Sequence, residues 1–234
     1  AVKPQIAFYE CYGHHGLWAY EETVKYAKSK GLLVIGDVKR SDIGSTAEAY
    51  AQAHLGDSEM AADAVTVVPF FGSDGIKPFT DAAQKRGKGV FVMVRSSNPS
   101  ADEIQGQTVG DHLFDEYLAG LVEGWGRGLI GDSGFSLVGA VVGATYPEEA
   151  RALRQLMPHQ IFLVPGYGAQ GATAQDVKAC FHENGTGAIV NSSRGIIFAY
   201  EKMGRPGEAY AEAARKAALA IKRELQEVIG KATT

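Results

Sequence analysis

The stretch Gly36-Asp37-Val38-Lys39-Arg40-Ser41-Asp42-Ile43-Gly44-Ser45-Thr46 follows an unbroken apolar run at residues 32–35. The run predicts a strand that is buried on both faces, as in a parallel sheet. Asp37 and Lys39 are two residues apart, so their side chains point to the same face of a continuing strand. Buried charges cost desolvation free energy unless they pair or take part in chemistry. Taken alone, the pattern fits an ion pair at a strand end as well as it fits an active site.

The length and composition of the chain limit the classes of protein to which it can belong. Its length of 234 residues fits one large α/β domain or two small ones. Its net charge is −4. With no basic cluster in the sequence, we expect neither nucleic acid nor an anionic membrane surface as a partner. No apolar run reaches the length of a membrane span. The two cysteines, Cys11 and Cys180, stand in neither metal nor redox spacing, and this favours a reducing, cytoplasmic setting.

Strand patterns alternate with helix patterns along the whole chain. The strands are predicted at residues 2–8, 32–35, 64–71, 89–94, 137–144, 161–164 and 188–190. The helices between them carry three capping-box patterns, Ser45/Glu48, Thr145/Glu148 and Thr173/Asp176. Repeated strand-helix units predict a parallel sheet with right-handed crossovers.

The polar residues cluster at the carboxyl ends of the predicted strands, as in the active site of a barrel. We therefore expect an α/β fold of the (β/α)8 TIM type, with residues 1–234 forming a single catalytic domain. About seven strands are predicted, one short of the eight that the barrel needs. Since the chain begins at Ala1 without an initiating Met, we expect the first strand to lie upstream of residue 1.

A glycine loop at residues 166–171 matches G-x-G-x-x-G between a strand and a helix. The motif can indicate a dinucleotide site, but Pro165 sits at the turn and the next strand ends in Asn191 instead of an acidic residue. A loop that binds phosphate through backbone N–H groups is favoured. Arg194 is placed to bind the same anion, and its alternative is a surface salt bridge.

Two further polar groups allow two interpretations each. Ser96, Ser97 and Asn98 suit hydrogen bonding to a nucleobase edge, although they are equally good turn residues. His14 and His15 suggest a metal site, but no carboxylate or cysteine stands at ligand spacing, so a polar loop is favoured.

Lys3 lies inside the first apolar stretch. It is expected to point into the same barrel mouth as Asp37 and Lys39. The site would then hold four alternating charges, Lys3, Asp37, Lys39 and Asp42, and their burial is tolerable because each charge neighbours an opposite one.

Five blocks of the chain together resemble the orotidine 5′-phosphate decarboxylases. D-V-K-R-S-D-I-G-S-T is similar to that family's D-x-K-x-x-D-I-x-x-T signature. V-K-P-Q-I-A-F, S-S-N-P, V-P-G-Y-G-A-Q-G and N-S-S-R-G-I resemble its other blocks in the same order, in the branch with K-P-Q and G-A-Q-G forms. The resemblance spans nearly the whole chain.

The resemblance implies decarboxylation of orotidine 5′-monophosphate without metal or cofactor. Lys39 would donate a proton to C6 of the pyrimidine, and Asp37 would lie against the substrate carboxylate. Lys3 would contact the ribose and position Asp37, and Gln5 is expected to reach the ligand.

The resemblance also implies a homodimer with composite sites. Asp42, with Ile43 and Thr46, would reach into the site of the neighbouring subunit.

The remaining substrate contacts implied by the resemblance lie later in the chain. Ser97 and Asn98 would read the pyrimidine edge. Gln170 and Arg194 would bind the 5′-phosphate, with Pro165 also contacting substrate.

The chain departs from the family pattern at one point. The family has an aspartate at the end of its first strand that contacts the ribose, and no residue here corresponds to it, so we expect it upstream of Ala1. A metal-dependent sugar-phosphate decarboxylase or lyase of the same barrel suite and a non-catalytic nucleotide-binding barrel remain as alternatives.

Overall fold

The computed structural model describes residues 1–168, 171–203 and 209–230, and it divides into two compact units. The first unit comprises Ala1–Met93 and Leu121–Val141, and the second comprises Val94–Gly120 and Val142–Thr234. The strands are Ile35–Arg40 (β1), Ala64–Val67 (β2), Gly89–Arg95 (β3), Thr108–Val109 (β4), His112–Leu113 (β5), Val138–Val142 (β6), Phe162–Val164 (β7) and Ala188–Val190 (β8). Six of them follow the sheet order β1-β2-β3-β6-β7-β8, while β4 and β5 form a separate antiparallel hairpin.

Helices separate the strands of the sheet, as the alternating sequence pattern predicted. The α-helices are Ala7–Glu10 (α1), Gly13–Ser29 (α2), Gly44–Leu55 (α3), Ser73–Arg86 (α4), Phe114–Gly126 (α5), Pro147–Leu156 (α6), Ala174–Val177 (α7), Arg194–Ile197 (α8) and Tyr210–Ile229 (α9). Short 3₁₀ turns cover Pro99–Glu103, Arg127–Leu129, Lys178–Cys180 and Ala199–Met203. In the described part of the chain, no helix has both the length and the apolar character needed to cross a bilayer.

The start of the first unit differs from the predicted strand at residues 2–8. Val2 and Gln5 form single parallel bridges to Val34 and Asp37, and the chain then turns into α1. Pro4 has no N–H to donate to a ladder, although its carbonyl accepts a hydrogen bond from the Asp37 amide at 3.0 Å. The segment therefore lies beside β1 without forming a continuous strand.

The apolar run at residues 32–35 was predicted as a buried strand, and most of that prediction is wrong. Leu32 and Leu33 are 41% and 67% exposed, because the Leu32 amide bonds back to the Ala27 carbonyl and closes the end of α2. The strand begins at Ile35 and continues through the charged residues to Arg40.

Two of the three predicted capping boxes are absent. Thr173 and Asp176 form the expected reciprocal box at α7. Ser45 lies inside α3, which begins one residue earlier and has no side-chain cap. Thr145 precedes the start of α6, and its hydroxyl donates instead to the Ser97 carbonyl at 3.3 Å.

His14 and His15 were predicted in a polar loop, and this too is corrected. Both lie in the first turn of α2, with ring centroids 3.8 Å apart. Gly13, with φ 60°, allows the tight turn between α1 and α2. Across residues 1–168, 171–203 and 209–230, no group of three or more His, Cys, Asp or Glu side chains is placed to bind a metal ion.

In the second unit, a buried arginine fixes the start of β7. Arg154 of α6 is 7% exposed, and its guanidinium donates to the carbonyls of Gln160 at 2.8 Å and Gly187 at 3.2 Å. The same group lies 3.8 Å from the centroid of the Phe162 ring. β7 and β8 pair in parallel from this anchored end, so their carboxyl ends at residues 164 and 190 open together into the following loops.

Candidate active site

In the first unit, the Asp37 carboxylate lies between two lysine ammonium groups. Lys3 Nζ contacts Oδ2 and Lys39 Nζ contacts Oδ1. The hydroxyl of Thr66, on β2, donates to the same Oδ1 at 3.0 Å. Asp37 itself is 6% exposed. Three of the four charges predicted to form an array are therefore in direct contact.

The surroundings of Asp37 favour its ionised form. Burial alone would raise the pKa of this carboxyl group, but the charges and hydrogen bonds of Lys3 and Lys39 outweigh burial and hold the pKa below its ordinary value. The site consequently holds a buried carboxylate with two bound cations. The side chain of Lys39 is 42% exposed, against 14% for Lys3, so its ammonium group is the more accessible to an incoming molecule.

The backbone at Lys39 takes an unusual conformation. Its φ is 44°, and among the described residues it is the only non-glycine with positive φ. For an L-residue this region is sterically unfavourable. The parallel pairing of β1 with β2 shifts register between Gly36 and Arg40, so the positive φ lies within a bulge at the end of the strand.

The next residue along, Arg40, is held by three neighbours. Its Nη2 lies 2.5 Å from Glu10 Oε1, its Nε donates to His54 Nε2 at 3.3 Å, and its guanidinium carbon lies 5.3 Å from the centroid of the Tyr50 ring. His54 is 2% exposed. Burial, reinforced by the Arg40 charge, lowers the pKa of His54 to about 4. The imidazole is therefore neutral and serves as the acceptor that orients Arg40.

Asp42 stands apart from the other three charges. Its Oδ1 accepts the Ile43 amide at 2.8 Å, and it forms no ion pair within the part of the chain that the structure describes. Ile43 is 52% exposed and Thr46 is also exposed. Asp42 is half-buried, while Ile43 and Thr46 lie on the surface of this unit.

Gln5 has a local role in the structure. Its Oε1 accepts the Ala7 amide at 3.0 Å, which opens α1.

In the second unit, the Ser96–Asn98 turn follows β3 and is tied by its own side chains. Ser96 Oγ donates to Asn98 Oδ1 at 2.7 Å, and the Ser96 amide donates to Gln105 Oε1 at 2.8 Å. Asn98 is exposed and Ser97 half-buried. The Ser97 backbone is in close contact with Gly143, where an added Cβ would lie 2.9 Å from Ser97 Cα.

A buried arginine holds the base of the same turn. Arg95 is 2% exposed, its Nη2 lies 2.6 Å from Asp102 Oδ1, and its Nε lies 3.6 Å from Asp115 Oδ2. The guanidinium also stacks on Tyr146, 4.0 Å from the ring centroid. These contacts link the end of β3 to the 3₁₀ turn Pro99–Glu103 and to the start of α5, which fixes the turn between them.

The glycine loop after β7 contains two of the predicted substrate contacts, Pro165 and Gln170. The carbonyl of Pro165 accepts the Ala144 amide at 2.9 Å. Gly166, Gly168 and Gly171 all have positive φ, so the loop needs residues without a Cβ at these points. Tyr167 is buried and donates to Glu224 Oε2 at 2.6 Å. The predicted ligand Gln170 lies outside the described residues.

Arg194 is the first residue of α8, directly after β8. It is exposed and has no ion-pair partner among the residues that the structure describes, so the surface salt bridge considered as its alternative is not formed there. Asn191 Oδ1 and Ser192 Oγ, just before it, are buried without a hydrogen-bond partner in the same part of the chain. Among the described residues, the carboxyl end of β8 therefore presents an exposed guanidinium beside two buried polar atoms that have no hydrogen-bond partner.

Sequence reasoning missed Thr66. It is 1% exposed and contacts both the Asp37 carboxylate and the Lys39 backbone. The available signal was a single hydroxyl residue in the predicted strand at residues 64–71, one strand after the charged pair. Whether the neighbouring parallel strand places this hydroxyl opposite the charged pair depends on the strand register, and the sequence alone does not give that register.

Parallel strands joined by helices, with chemically active side chains at their carboxyl ends, define the chain as an α/β enzyme of the TIM-barrel class. The sequence model of the "Orotidine 5'-phosphate decarboxylase / HUMPS family" matches residues 1–210. The chain belongs to this family.

Individual proteins and structures agree with that assignment. A protein from Rhodopirellula baltica named orotidine 5′-phosphate decarboxylase is 46% identical over 206 residues, which are 86% of this chain and 68% of that protein. The structure of Leishmania donovani OMP decarboxylase aligns with a TM-score of 0.76 at 32% identity, covering 96% of this chain and 81% of that one. The UMP synthase of the same organism aligns with a TM-score of 0.79 at 33% identity, over 98% of this chain and 46% of that longer one.

Proposed function

We propose that this protein decarboxylates orotidine 5′-monophosphate to uridine 5′-monophosphate, a carboxy-lyase reaction of pyrimidine biosynthesis. The observation that carries the proposal is the Lys3–Asp37–Lys39 cluster, in a chain 46% identical to a protein named for this activity. The metal-dependent lyase and the non-catalytic barrel receive no support from the relatives.

Lys39 is the proposed proton donor. Loss of carbon dioxide leaves a carbanion at C6 of the pyrimidine, and an ammonium group aimed at that atom stabilises the charge as it develops. Transfer of the Lys39 proton to C6 then completes the product. The accessible Nζ of Lys39, fixed by its contact with Asp37, supports this role.

Asp37 and Lys3 set up the reacting groups. The ionised Asp37, placed near the substrate carboxylate, would disfavour the ground state more than the transition state, in which the carboxylate charge is leaving. Lys3 balances the second oxygen of Asp37 and is proposed to contact the ribose, with Gln5 nearby in sequence. The depressed pKa of Asp37 supports its action as an anion at neutral pH.

Residues later in the chain are proposed to bind the parts of the substrate that are remote from C6. Gln170 and Arg194 would bind the 5′-phosphate, with Pro165 at the edge of the same loop, and Ser97 with Asn98 would read the pyrimidine edge. Arg194 is exposed and has no ion-pair partner in the described part of the chain, which supports the phosphate assignment. Phosphate binding far from C6 supplies binding energy that can stabilise the strained reacting geometry.

The proposal includes a homodimer of single-domain barrels, located in the cytoplasm. Asp42, Ile43 and Thr46 would complete the active site of the partner subunit, and the exposure of Ile43 and Thr46 supports an interface there. The two free cysteines, Cys11 exposed and Cys180 buried, support a reducing compartment.

The function is tested by incubating the protein with orotidine 5′-monophosphate and following the change in pyrimidine absorbance. We expect one carbon dioxide to be released for each uridine 5′-monophosphate formed, at an equal rate with and without excess chelator. Activity that disappears in chelator and returns with a divalent cation would favour the metal-dependent lyase. Tight binding of uridine 5′-monophosphate without turnover would favour the non-catalytic barrel.

A further inference from the structure

The hydroxyl of Thr66 is buried at the centre of the charged cluster and uses all of its hydrogen-bonding capacity. Its Oγ1 accepts the amides of Val38 and Lys39, each at 3.0 Å, and donates to Asp37 Oδ1 at 3.0 Å. A hydroxyl has one proton and two acceptor lone pairs. Because both lone pairs are occupied by backbone N–H groups, the proton is directed to the Asp37 carboxylate.

We propose that Thr66 is a positioning residue of the decarboxylase, which fixes Asp37 and Lys39 relative to each other through this single hydroxyl. The inference rests on the proposed function, since it assumes that Asp37 and Lys39 act on the substrate. It goes beyond that function because Thr66 belongs to none of the blocks that resemble the family and is not expected to touch substrate.

The strand register explains why a side chain is needed at this point. Gly36 pairs with Val65 and Arg40 pairs with Val67, so residues 37–39 lie opposite Thr66 alone. A bulge of this kind leaves amides without a ladder partner. The Thr66 hydroxyl takes the place of the missing backbone carbonyls, and a buried unpaired N–H is avoided.

The hydrogen bond from the Lys39 amide to Thr66 Oγ1 also holds the backbone of Lys39 in its unfavourable conformation. At φ 44° the residue would relax toward an ordinary conformation if nothing held it. Such a relaxation would swing the Lys39 side chain away from Asp37, whose Oδ1 it shares with Thr66. The hydroxyl thus fixes the backbone from which the ammonium projects and the carboxylate that it contacts.

The test compares Thr66→Val, which removes the hydroxyl at nearly constant shape, with Thr66→Ser, which keeps it. In the valine variant we expect kcat to fall on the order of 100-fold, the loss that a misplacement of about 1 Å produces. The affinity for uridine 5′-monophosphate should change little, because the proposed phosphate and base contacts do not involve Thr66. The serine variant should recover most of the lost kcat.

A pH profile separates positioning from a structural role. Asp37 is faced by Lys3, Lys39 and the Thr66 hydroxyl, with the Tyr20 phenol as a further titratable neighbour. Loss of a hydrogen bond to the carboxylate disfavours its ionised form, so the acid limb of kcat/KM should move to higher pH in Thr66→Val and stay in place in Thr66→Ser. Thr23→Val, at a half-buried threonine of α2 that bonds to the Ala19 carbonyl, is the control for loss of a hydroxyl elsewhere.

Failure of the positioning role of Thr66 can be distinguished from failure of the proposed decarboxylase function. Absence of turnover in the unsubstituted protein contradicts the proposed function. Normal turnover there, together with a Thr66→Val variant of unchanged kcat and unchanged acid limb, overturns the positioning role alone. If Thr66→Val does not fold, Thr66→Ala removes the same hydroxyl without placing a second methyl group beside the charges, and wild-type kcat and acid limb in that variant overturn the role equally.

Discussion

At the scale of single residues, Asp37 shows how a buried charge becomes tolerable. Its carboxylate has opposite charges on both oxygens and a hydroxyl on one, which together offset the desolvation that burial imposes. The two-residue spacing of Asp37 and Lys39 was enough to predict that they meet. It could not predict that Asp42 stays outside the cluster, because Asp42 lies beyond the end of β1, where the alternation of strand side chains no longer applies.

A second buried titratable residue, His54, links the stability of the protein to pH. Its pKa in the fold is about 4, against an ordinary value of 6.5, so between these values the unfolded chain binds the proton and the folded chain does not. Stability therefore falls as the pH drops from 6.5 to 4, by on the order of 2 to 3 kcal/mol for this group alone. Well above pH 6.5 both states are unprotonated, and the group contributes no pH dependence.

The variant His54→Gln isolates this effect, since glutamine can accept the Arg40 hydrogen bond and does not titrate. Urea unfolding of both proteins at a series of pH values should show a flatter stability curve for the variant between pH 6.5 and 4. Identical slopes in the two proteins would show that His54 is not the group responsible.

At the scale of elements, Gly143 lies one residue beyond β6 and lets the Ser97 backbone approach closely. A Cβ there would lie 2.9 Å from both Ser97 Cα and Ser97 N, so Gly143→Ala must displace the turn that carries the proposed pyrimidine contacts. We expect KM for orotidine 5′-monophosphate to rise about tenfold, which corresponds to about 1.4 kcal/mol of lost binding, with a smaller effect on kcat.

Gly120→Ala is the matched control for the glycine substitution. Gly120 lies within α5 and its added Cβ would meet no atom within 4 Å, so this change should stabilise the helix by up to about 1 kcal/mol and leave KM unchanged. Equal KM values for Gly143→Ala and the unsubstituted protein would argue against the role assigned to the Ser97 turn.

The strands and helices were largely predictable, and the exceptions have local causes. The prediction for β8 agrees at both ends, because its apolar run is bounded by glycine and a polar loop. The strand predicted at residues 32–35 was mostly wrong, because hydrophobicity does not reveal that Leu32 closes the preceding helix. The bulge opposite Thr66 was equally hidden, because register depends on the neighbouring strand and leaves no mark within β1 itself.

At the scale of the whole molecule, the proposed dimer makes a prediction about mixed subunits. If Asp42 acts in the site of the partner, a hybrid of one Lys39→Ala and one Asp42→Ala subunit contains one site with both residues intact. Two inactive variants, unfolded and refolded together in equal amounts, should regain about a quarter of the unsubstituted activity by random pairing of a two-fold dimer.

The separate refolded variants serve as controls in that experiment. Recovery with the mixture and not with either variant alone supports composite sites. If the mixture has the molecular mass of a dimer but recovers no activity, Asp42 acts in the site of its own subunit.

The turnover rate of Lys39→Ala tests whether Lys39 protonates C6 in the decarboxylation of orotidine 5′-monophosphate. We expect the absorbance change with substrate to be lost, while the circular dichroism of the fold and the binding of uridine 5′-monophosphate persist. Turnover at the unsubstituted rate in Lys39→Ala would contradict this role of Lys39.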